Sequence, residues 1–251
     1  MTLLHSQRQD GVLDLRIDGP EARNAFTLET LEALTRALEA AAGDASVRAV
    51  LLNGSEEVFS AGLVLEAFGD KARAYEEKAW EALDALEAFG KPVLACVRGP
   101  AVGFALALLA RCDIVYASSQ AVFSLPFAAL GLSPNYGLAE RLAFSKKAAE
   151  KLLLSEPFDA EDAFFMGLVS AVLDGEALEA RVRAAANRLS QMPPAALAET
   201  KSLLKAARGG RPASLRKLEA TTFETLLAGP DAAEALAAFR EGRKPVFGRD
   251  S

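Results

Sequence analysis

Val58-Phe59-Ser60-Ala61-Gly62-Leu63 and, further along, Gly99-Pro100-Ala101-Val102-Gly103-Phe104 are the two stretches on which the reading of this chain turns. Each is a glycine-containing junction that follows an apolar run and is expected to lead into a helix. The opening turn of a helix has N–H groups without internal partners and lies at the positive end of the helix dipole. Two such turns facing one point can hold an oxygen that is gaining negative charge. Taken singly, each glycine also reads as no more than a tight turn.

The runs around the junctions indicate an α/β fold. Residues 47–52, 92–97 and 112–117 are continuous apolar stretches, as expected for strands covered on both faces. Residues 11–17 alternate and end at Asp18-Gly19-Pro20, which reads as a strand closed by a turn. Thr27 caps a helix whose apolar positions Leu28, Leu31, Leu34, Leu38 and Ala41 keep helical spacing, with Gly43 at its end. A further helix is expected over 104–110. Alternation of strand and helix makes a layered α/β unit. Beyond Ser145 the pattern is mostly helical: 146–154, 160–166, a short strand at 168–173, then 176–192 up to Pro193-Pro194. Helices over 195–207, 213–228 and 231–241 follow, punctuated by Gly209-Gly210-Arg211-Pro212 and Gly229-Pro230, and read as an all-helical appendage.

Composition narrows the function. With 251 residues, 51% of them hydrophobic, the chain can bury a large core. No apolar run approaches the roughly 18 residues of a membrane span, and residues 1–10 are polar without a signal-peptide pattern, so a cytoplasmic protein is expected. A formal charge of -6 argues against nucleic acid as the main partner. Cys96 and Cys112 have neither metal-ligand spacing nor disulfide density and read as buried fillers. His5 is the only histidine, in a stretch expected to be exposed, which leaves almost no room for a Ser-His-Asp triad or a histidine metal site; no metal is expected.

In order and spacing, these segments resemble the enoyl-CoA hydratase/isomerase (crotonase) family along most of the chain. The resemblance begins at Pro20-Glu21-Ala22-Arg23-Asn24-Ala25 and is most specific at Phe59-Ser60-Ala61-Gly62. It continues at Lys91-Pro92-Val93, Gly99-Pro100-Ala101-Val102-Gly103, Cys112-Asp113-Ile114-Val115-Tyr116-Ala117, Leu130-Gly131-Leu132-Ser133-Pro134 and Gly167-Leu168-Val169. It ends at Ala238-Phe239-Arg240-Glu241-Gly242-Arg243-Lys244-Pro245.

The resemblance implies a crotonase-like spiral of ββα turns over residues 1–192 and an all-helical region over 193–251 that packs in trimers or pairs of trimers. It implies chemistry on a thioester enolate, as in fatty acid metabolism, with the oxyanion held by the backbone N–H groups of Ala61 and Phe104. Coenzyme A is then part of the substrate and no cofactor is bound permanently. It would lie against Arg23, Asn24 and Ala25, the backbone of Ala61, Gly62, Leu63, Val64 and Leu65, and Gly103. Arg23 is a candidate phosphate contact or a solvated loop charge. The family often has a lysine where Gly242 stands; Arg243 and Lys244 either take over that contact or are ordinary surface residues. Leu63, Val64, Leu65 and Phe68 suit an apolar acyl pocket and suit core packing equally.

Hydratases of the family use two glutamates, and the matching positions here are Ala107 and Phe127. One positioned acid or base contributes roughly 10²–10⁴ in rate, so efficient hydration is not expected. Val64 replaces a further acidic residue, and Asn135 stands where some isomerases carry an aspartate. Tyr136, Glu66, Asp70 and Glu140 are substitutes by position, and each also reads as packing or a solvated face. Asp113 reads as a structural hydrogen-bonding group. Three readings remain: an enolate enzyme of isomerase or lyase type, a catalytically silent acyl-CoA-binding protein, and an oligomeric interaction protein on the same scaffold. A protease is disfavoured, because no histidine is available to activate Ser60.

Overall fold

The computed structural model describes residues 3–143, 145–207 and 213–247, so the expected break at Gly209-Gly210-Arg211-Pro212 lies outside the described residues. The chain starts with a hairpin, β1 (Leu3–Gln9) and β2 (Val12–Asp18), paired antiparallel so that Gln9 faces Val12. Asp10 and Gly11 form the two-residue loop with φ of 51° and 79°, the backbone a primed hairpin turn requires. The polar N-terminal stretch is therefore an edge strand. Its alternation is masked by polar residues on both faces, yet Asp-Gly is a hairpin signal in its own right. His5 is exposed on it, beside Asp18 at 3.3 Å.

The main elements then alternate as α1 (Leu28–Gly43), β3 (Ala49–Asn53), α2 (Ala72–Ala88), β4 (Val93–Val97), β5 (Pro100–Val102), α3 (Phe104–Leu109), β6 (Ile114–Ser118) and β7 (Val122–Ser124). They continue as α4 (Leu138–Leu142), α5 (Lys146–Leu154), β8 (Phe158–Asp159), α6 (Ala160–Phe165), β9 (Ala171–Leu173) and α7 (Gly175–Gln191). Three helices close the chain: α8 (Pro194–Ala207), α9 (Ala213–Leu227) and α10 (Pro230–Glu241). Thr27 caps α1 as expected, its side chain accepting from Thr30 N at 3.3 Å.

A six-stranded sheet runs in the order β1-β2-β3-β4-β6-β9, parallel from β2 onward. The apolar runs are continuous because both of its faces are covered. On β4, Val93, Ala95 and Val97 join the large core beneath α1 to α3, while Leu94 and Cys96 point the other way into a smaller cluster under Leu178, Val182, Ala185 and Ala186 of α7. Both cysteines are buried fillers whose thiols burial pushes up, to about 11 for Cys96 and about 12 for Cys112. A second sheet, β5-β7-β8, carries the second junction into α3.

The first junction differs from expectation. Leu63 leads into a 3-10 turn, Leu65–Phe68, and α2 begins only at Ala72, so no α-helix N-terminus follows directly. The C-terminal helices are fastened to the rest of the chain. Phe223 of α9 is 4% exposed within the large core, and Ala232, Ala235 and Ala238 of α10 are buried. Lys201 of α8 donates to Asp113 at 2.7 Å and to Lys91 O at 2.8 Å. Asp113 also accepts from Val93 N at 2.8 Å, the structural role expected of it. No helix among the described residues is long and apolar enough to cross a membrane.

Candidate functional site

The site is built around Asn24. Arg23 and Asn24 adopt φ of 50° and 58°, a left-handed conformation that asparagine tolerates better than most residues. Fully buried, Asn24 accepts from Gly19 N at 2.8 Å and donates to Val58 O at 2.9 Å. Its carbonyl accepts from Ser60 Oγ at 2.7 Å, and the same Oγ accepts from Gly62 N at 3.0 Å. Backbone bonds continue the seam: Phe26 N donates to Gly62 O at 2.7 Å and Val64 N to Phe26 O at 3.2 Å. On the other side, Ser60 N donates to Pro100 O at 3.1 Å and Val102 N to Ser60 O at 3.0 Å. Residues 59–63 are thus clamped between the 23–26 turn and β5.

This clamp corrects one expectation. The N–H of Ala61 donates to Arg23 O at 3.0 Å and is already used. The Asn24 side chain is spent inside the protein, which leaves the surface of the Arg23–Ala25 turn as the part a ligand could lie against. Because Gly62 C=O and Val64 N–H both face Phe26, the intervening Leu63 N–H faces away from it. Among the described residues no acceptor is found for it, nor for the N–H of Phe104, the first residue of α3. The two groups belong to turns in close approach: a Cβ on Gly62 would lie 2.7 Å from Val102 O and 3.5 Å from Phe104 N. Gly103, at φ 54°, makes the turn that presents the second N–H.

The ring of Phe104 leaves that point and packs edge-on against Phe26 at 5.3 Å and Tyr136 at 5.4 Å. Tyr136 in turn meets Trp80 at 5.7 Å and Phe223 at 6.3 Å, so α2, α3 and α9 share one aromatic wall. Ala107, one turn beyond Phe104, and Phe127 are both buried in the large core and carry no titratable group. Burial, with Glu76 adding to it, pushes the Tyr136 phenol well above its ordinary range, which makes it a poor base. Asn135 is fully buried; its Oδ1 accepts from Tyr136 N at 2.7 Å and its Nδ2 lies by the Glu76 carboxyl. Glu66 and Asp70 are exposed, and Glu140 is half-buried on α4.

Of the expected coenzyme A contacts, Arg23 is exposed and makes no ion pair among the described residues, and Val64 and Leu65 border the same loop. Ala25 is 6% exposed. Arg243 is committed elsewhere: it grips Glu234 at 2.5 and 2.9 Å and Glu241 at 2.6 Å, holding the Glu234 carboxyl down at about 2. Lys244 is exposed. Gly242 ends α10 in the left-handed conformation.

Sequence reasoning missed Glu76 altogether. It lies on α2 one turn before Trp80, half-withdrawn from solvent, near the Asn135 amide and Glu224 of α9. Desolvation first, and the Glu224 charge second, raise its carboxyl above the ordinary value. The pattern of α2 marks its buried face through Tyr75, Ala79, Trp80 and Leu83, but only the tertiary structure brings residues 135 and 224 to it.

Residues 7–250 match the model of the family described as enoyl-CoA hydratase/isomerase. The chain belongs to the enoyl-CoA hydratase/isomerase family. It is 33% identical to the 2,3-dehydroadipyl-CoA hydratase of Escherichia coli K12 over 98% of this chain and 99% of that one. It is 32% identical to the enoyl-CoA delta isomerase 2 of Homo sapiens over 78% of this chain and 52% of that one. The solved structure of Pseudomonas aeruginosa OdaA superposes with a TM-score of 0.86 at 36% identity, covering 94% of this chain and 98% of that chain.

Proposed function

We propose that the chain binds an acyl-CoA thioester, holds its carbonyl oxygen on the N–H groups of Leu63 and Phe104, and moves a proton along the acyl chain, as an isomerase does. The observation that carries this reading is the pair of acceptor-free N–H groups on two adjoining turns. Such donors stabilise the enolate oxygen more than the ground-state carbonyl, which is the condition for catalysis. Coenzyme A is part of the substrate, with Arg23 free to meet a phosphate. Ala107 and Phe127 leave a wall with no group able to hold and deprotonate water, so hydration is slow.

Proton NMR of a 3-enoyl-CoA in deuterated buffer tests this directly. The expected result is deuterium entering at C2 and migration of the double bond, with little 3-hydroxyacyl product. Rapid hydration would contradict the roles given to Ala107 and Phe127. Broadening of the coenzyme A signals without any exchange would favour the silent binding protein.

The chain assembles as a trimer or a pair of trimers in the same reading. Large apolar side chains stand exposed on several helices, among them Leu153 (77%), Phe165 (79%), Leu203 (70%) and Phe239 (63%), more than single scattered residues account for. Light scattering is expected to give three or six chain masses at micromolar concentration; a monomer would refute the assembly.

A further inference from the structure

We propose that this site takes thioesters of short acyl groups, because a fixed aromatic wall that begins at the Phe104 donor closes its inner side. The inference rests on the acyl-CoA reading above and names the class of acyl group which that reading leaves open.

Phe104 carries both features. Its N–H is one of the two acceptor-free donors, and its ring packs edge-on against Phe26 at 5.3 Å and Tyr136 at 5.4 Å. A thioester carbonyl seated on the N–H groups of Leu63 and Phe104 has two arms. The coenzyme A arm has to reach water, and the exposed side of the site is the one with Arg23 and Leu65. The acyl arm is left with the buried side, where Phe26, Phe104, Ala107, Phe127 and Tyr136 are each no more than 6% exposed. Side chains already fill that side.

Space for a long chain lies beyond the wall. Ligand pockets measure roughly 300–1,000 Å³, and a cleft of about 500 Å³ opens between α2 and α9. Trp80 lines this cleft; Leu63, Phe104 and Tyr136 do not. Tyr136 stands between, its ring 5.4 Å from that of Phe104 and 5.7 Å from that of Trp80. Rings with centroids at such spacings touch, so no alkyl chain passes from the donors to the cleft. The other cleft, of about 360 Å³, lies between the six-stranded sheet and α7 and includes none of these residues.

The wall is fastened rather than hinged. Tyr136 holds a left-handed backbone at φ 62°, which a bulky residue adopts only at a cost, and Asn135 Oδ1 accepts from its N–H at 2.7 Å. The N–H of Gly137 donates to Glu219 of α9 at 2.8 Å, and Phe223 of the same helix meets the Tyr136 ring at 6.3 Å. Backbone strain persists only where the surroundings over-determine it, and here both neighbours of Tyr136 and a second helix hold the ring in place. An acyl chain longer than the space before Phe104 therefore folds back to the surface, where its methylenes stay in water and add nothing to binding.

The test is a calorimetric titration of the full-length protein with coenzyme A and with its butanoyl, hexanoyl, octanoyl and decanoyl thioesters. Saturated thioesters make the outcome independent of turnover. Wild type is expected to bind butanoyl-CoA more tightly than coenzyme A and then to show a level series through decanoyl-CoA. Phe104→Ala keeps the N–H and removes the ring. Each buried methylene is worth roughly fourfold, so this variant is expected to raise the preference for octanoyl- over butanoyl-CoA by roughly 10- to 10²-fold, and Phe104→Leu by less. Thermal unfolding checks that the variants fold, and the wild-type series decides the limit without them. A wild type that binds decanoyl-CoA roughly 10²-fold more tightly than butanoyl-CoA overturns the limit and leaves the acyl-CoA reading standing. A series that stays level in folded Phe104→Ala and Phe104→Leu overturns the role of the wall. A protein that binds butanoyl-CoA no better than coenzyme A overturns the acyl-CoA reading itself, and the short-chain limit with it.

Discussion

Replacing Gly62 by alanine is expected to lower kcat/KM toward an acyl-CoA substrate by roughly 10²- to 10³-fold, the size of effect seen when one oxyanion donor is lost. Gly62 adopts φ 88°, where a Cβ is strained whatever the space around it, and its Cβ would stand 2.7 Å from Val102 O and 3.5 Å from Phe104 N. Both are backbone atoms. Relief of the contact must therefore move β5 or the start of α3 away from the Leu63 loop, and with it one N–H group away from the other. Destabilisation of about 2–4 kcal/mol is expected alongside, as for other strained and overpacked substitutions. Steady-state kinetics together with chemical denaturation separate the two effects. A folded Gly62→Ala protein with wild-type kcat/KM would show that the two turns do not share one carbonyl oxygen.

The second large effect is on stability. Asn24→Ala is expected to destabilise the chain by about 2–4 kcal/mol, since it orphans the buried Gly19 N–H, removes one donor from Val58 C=O, which keeps its bond from Ser55 N, and places alanine at φ 58°. Asn24→Gly loses the same hydrogen bonds without the left-handed penalty, so it should recover about 1 kcal/mol relative to alanine. Denaturant midpoints of the three proteins measure this. A loss of under about 1 kcal/mol for Asn24→Ala would mean that the clamp on residues 59–63 is held elsewhere.

Strand and helix positions in the centre of the chain were legible because each rests on a local pattern. Residues 92–97 lack polar alternation, and β4 is buried on both faces; Thr27 precedes a helical repeat, and it caps α1. The elements that escaped notice have weak local signals. β1 is polar on both faces, α2 has an amphipathic pattern crowded with charge, and β5, β7 and β8 are too short to show a period. Helix ends shifted by a residue or two, as with α7 at Gly175–Gln191 against the expected 176–192, because fraying ends carry little energy.

The sites divide in the same way. Phe59-Ser60-Ala61-Gly62 points to the loop that matters, yet which of its N–H groups is free depends on which carbonyl each one faces. That is decided by the 23–26 turn, distant in sequence, which takes up Ala61 and leaves Leu63. Arg243 reads as a cation available to a ligand until the fold turns the C-terminal segment back onto Glu234. Glu76 carries no motif at all; its environment comes from Asn135, Trp80 and Glu224, which belong to separate segments of the chain.

By itself, then, the sequence determined the alternation of elements, the family resemblance and the absence of glutamate at positions 107 and 127, since these depend on residue identity and short-range spacing. Tertiary structure alone decided which backbone donors stay free and which carboxyl is drawn out of water. Hydrogen-bond satisfaction and desolvation are set by atoms that packing brings together, whatever their distance along the chain.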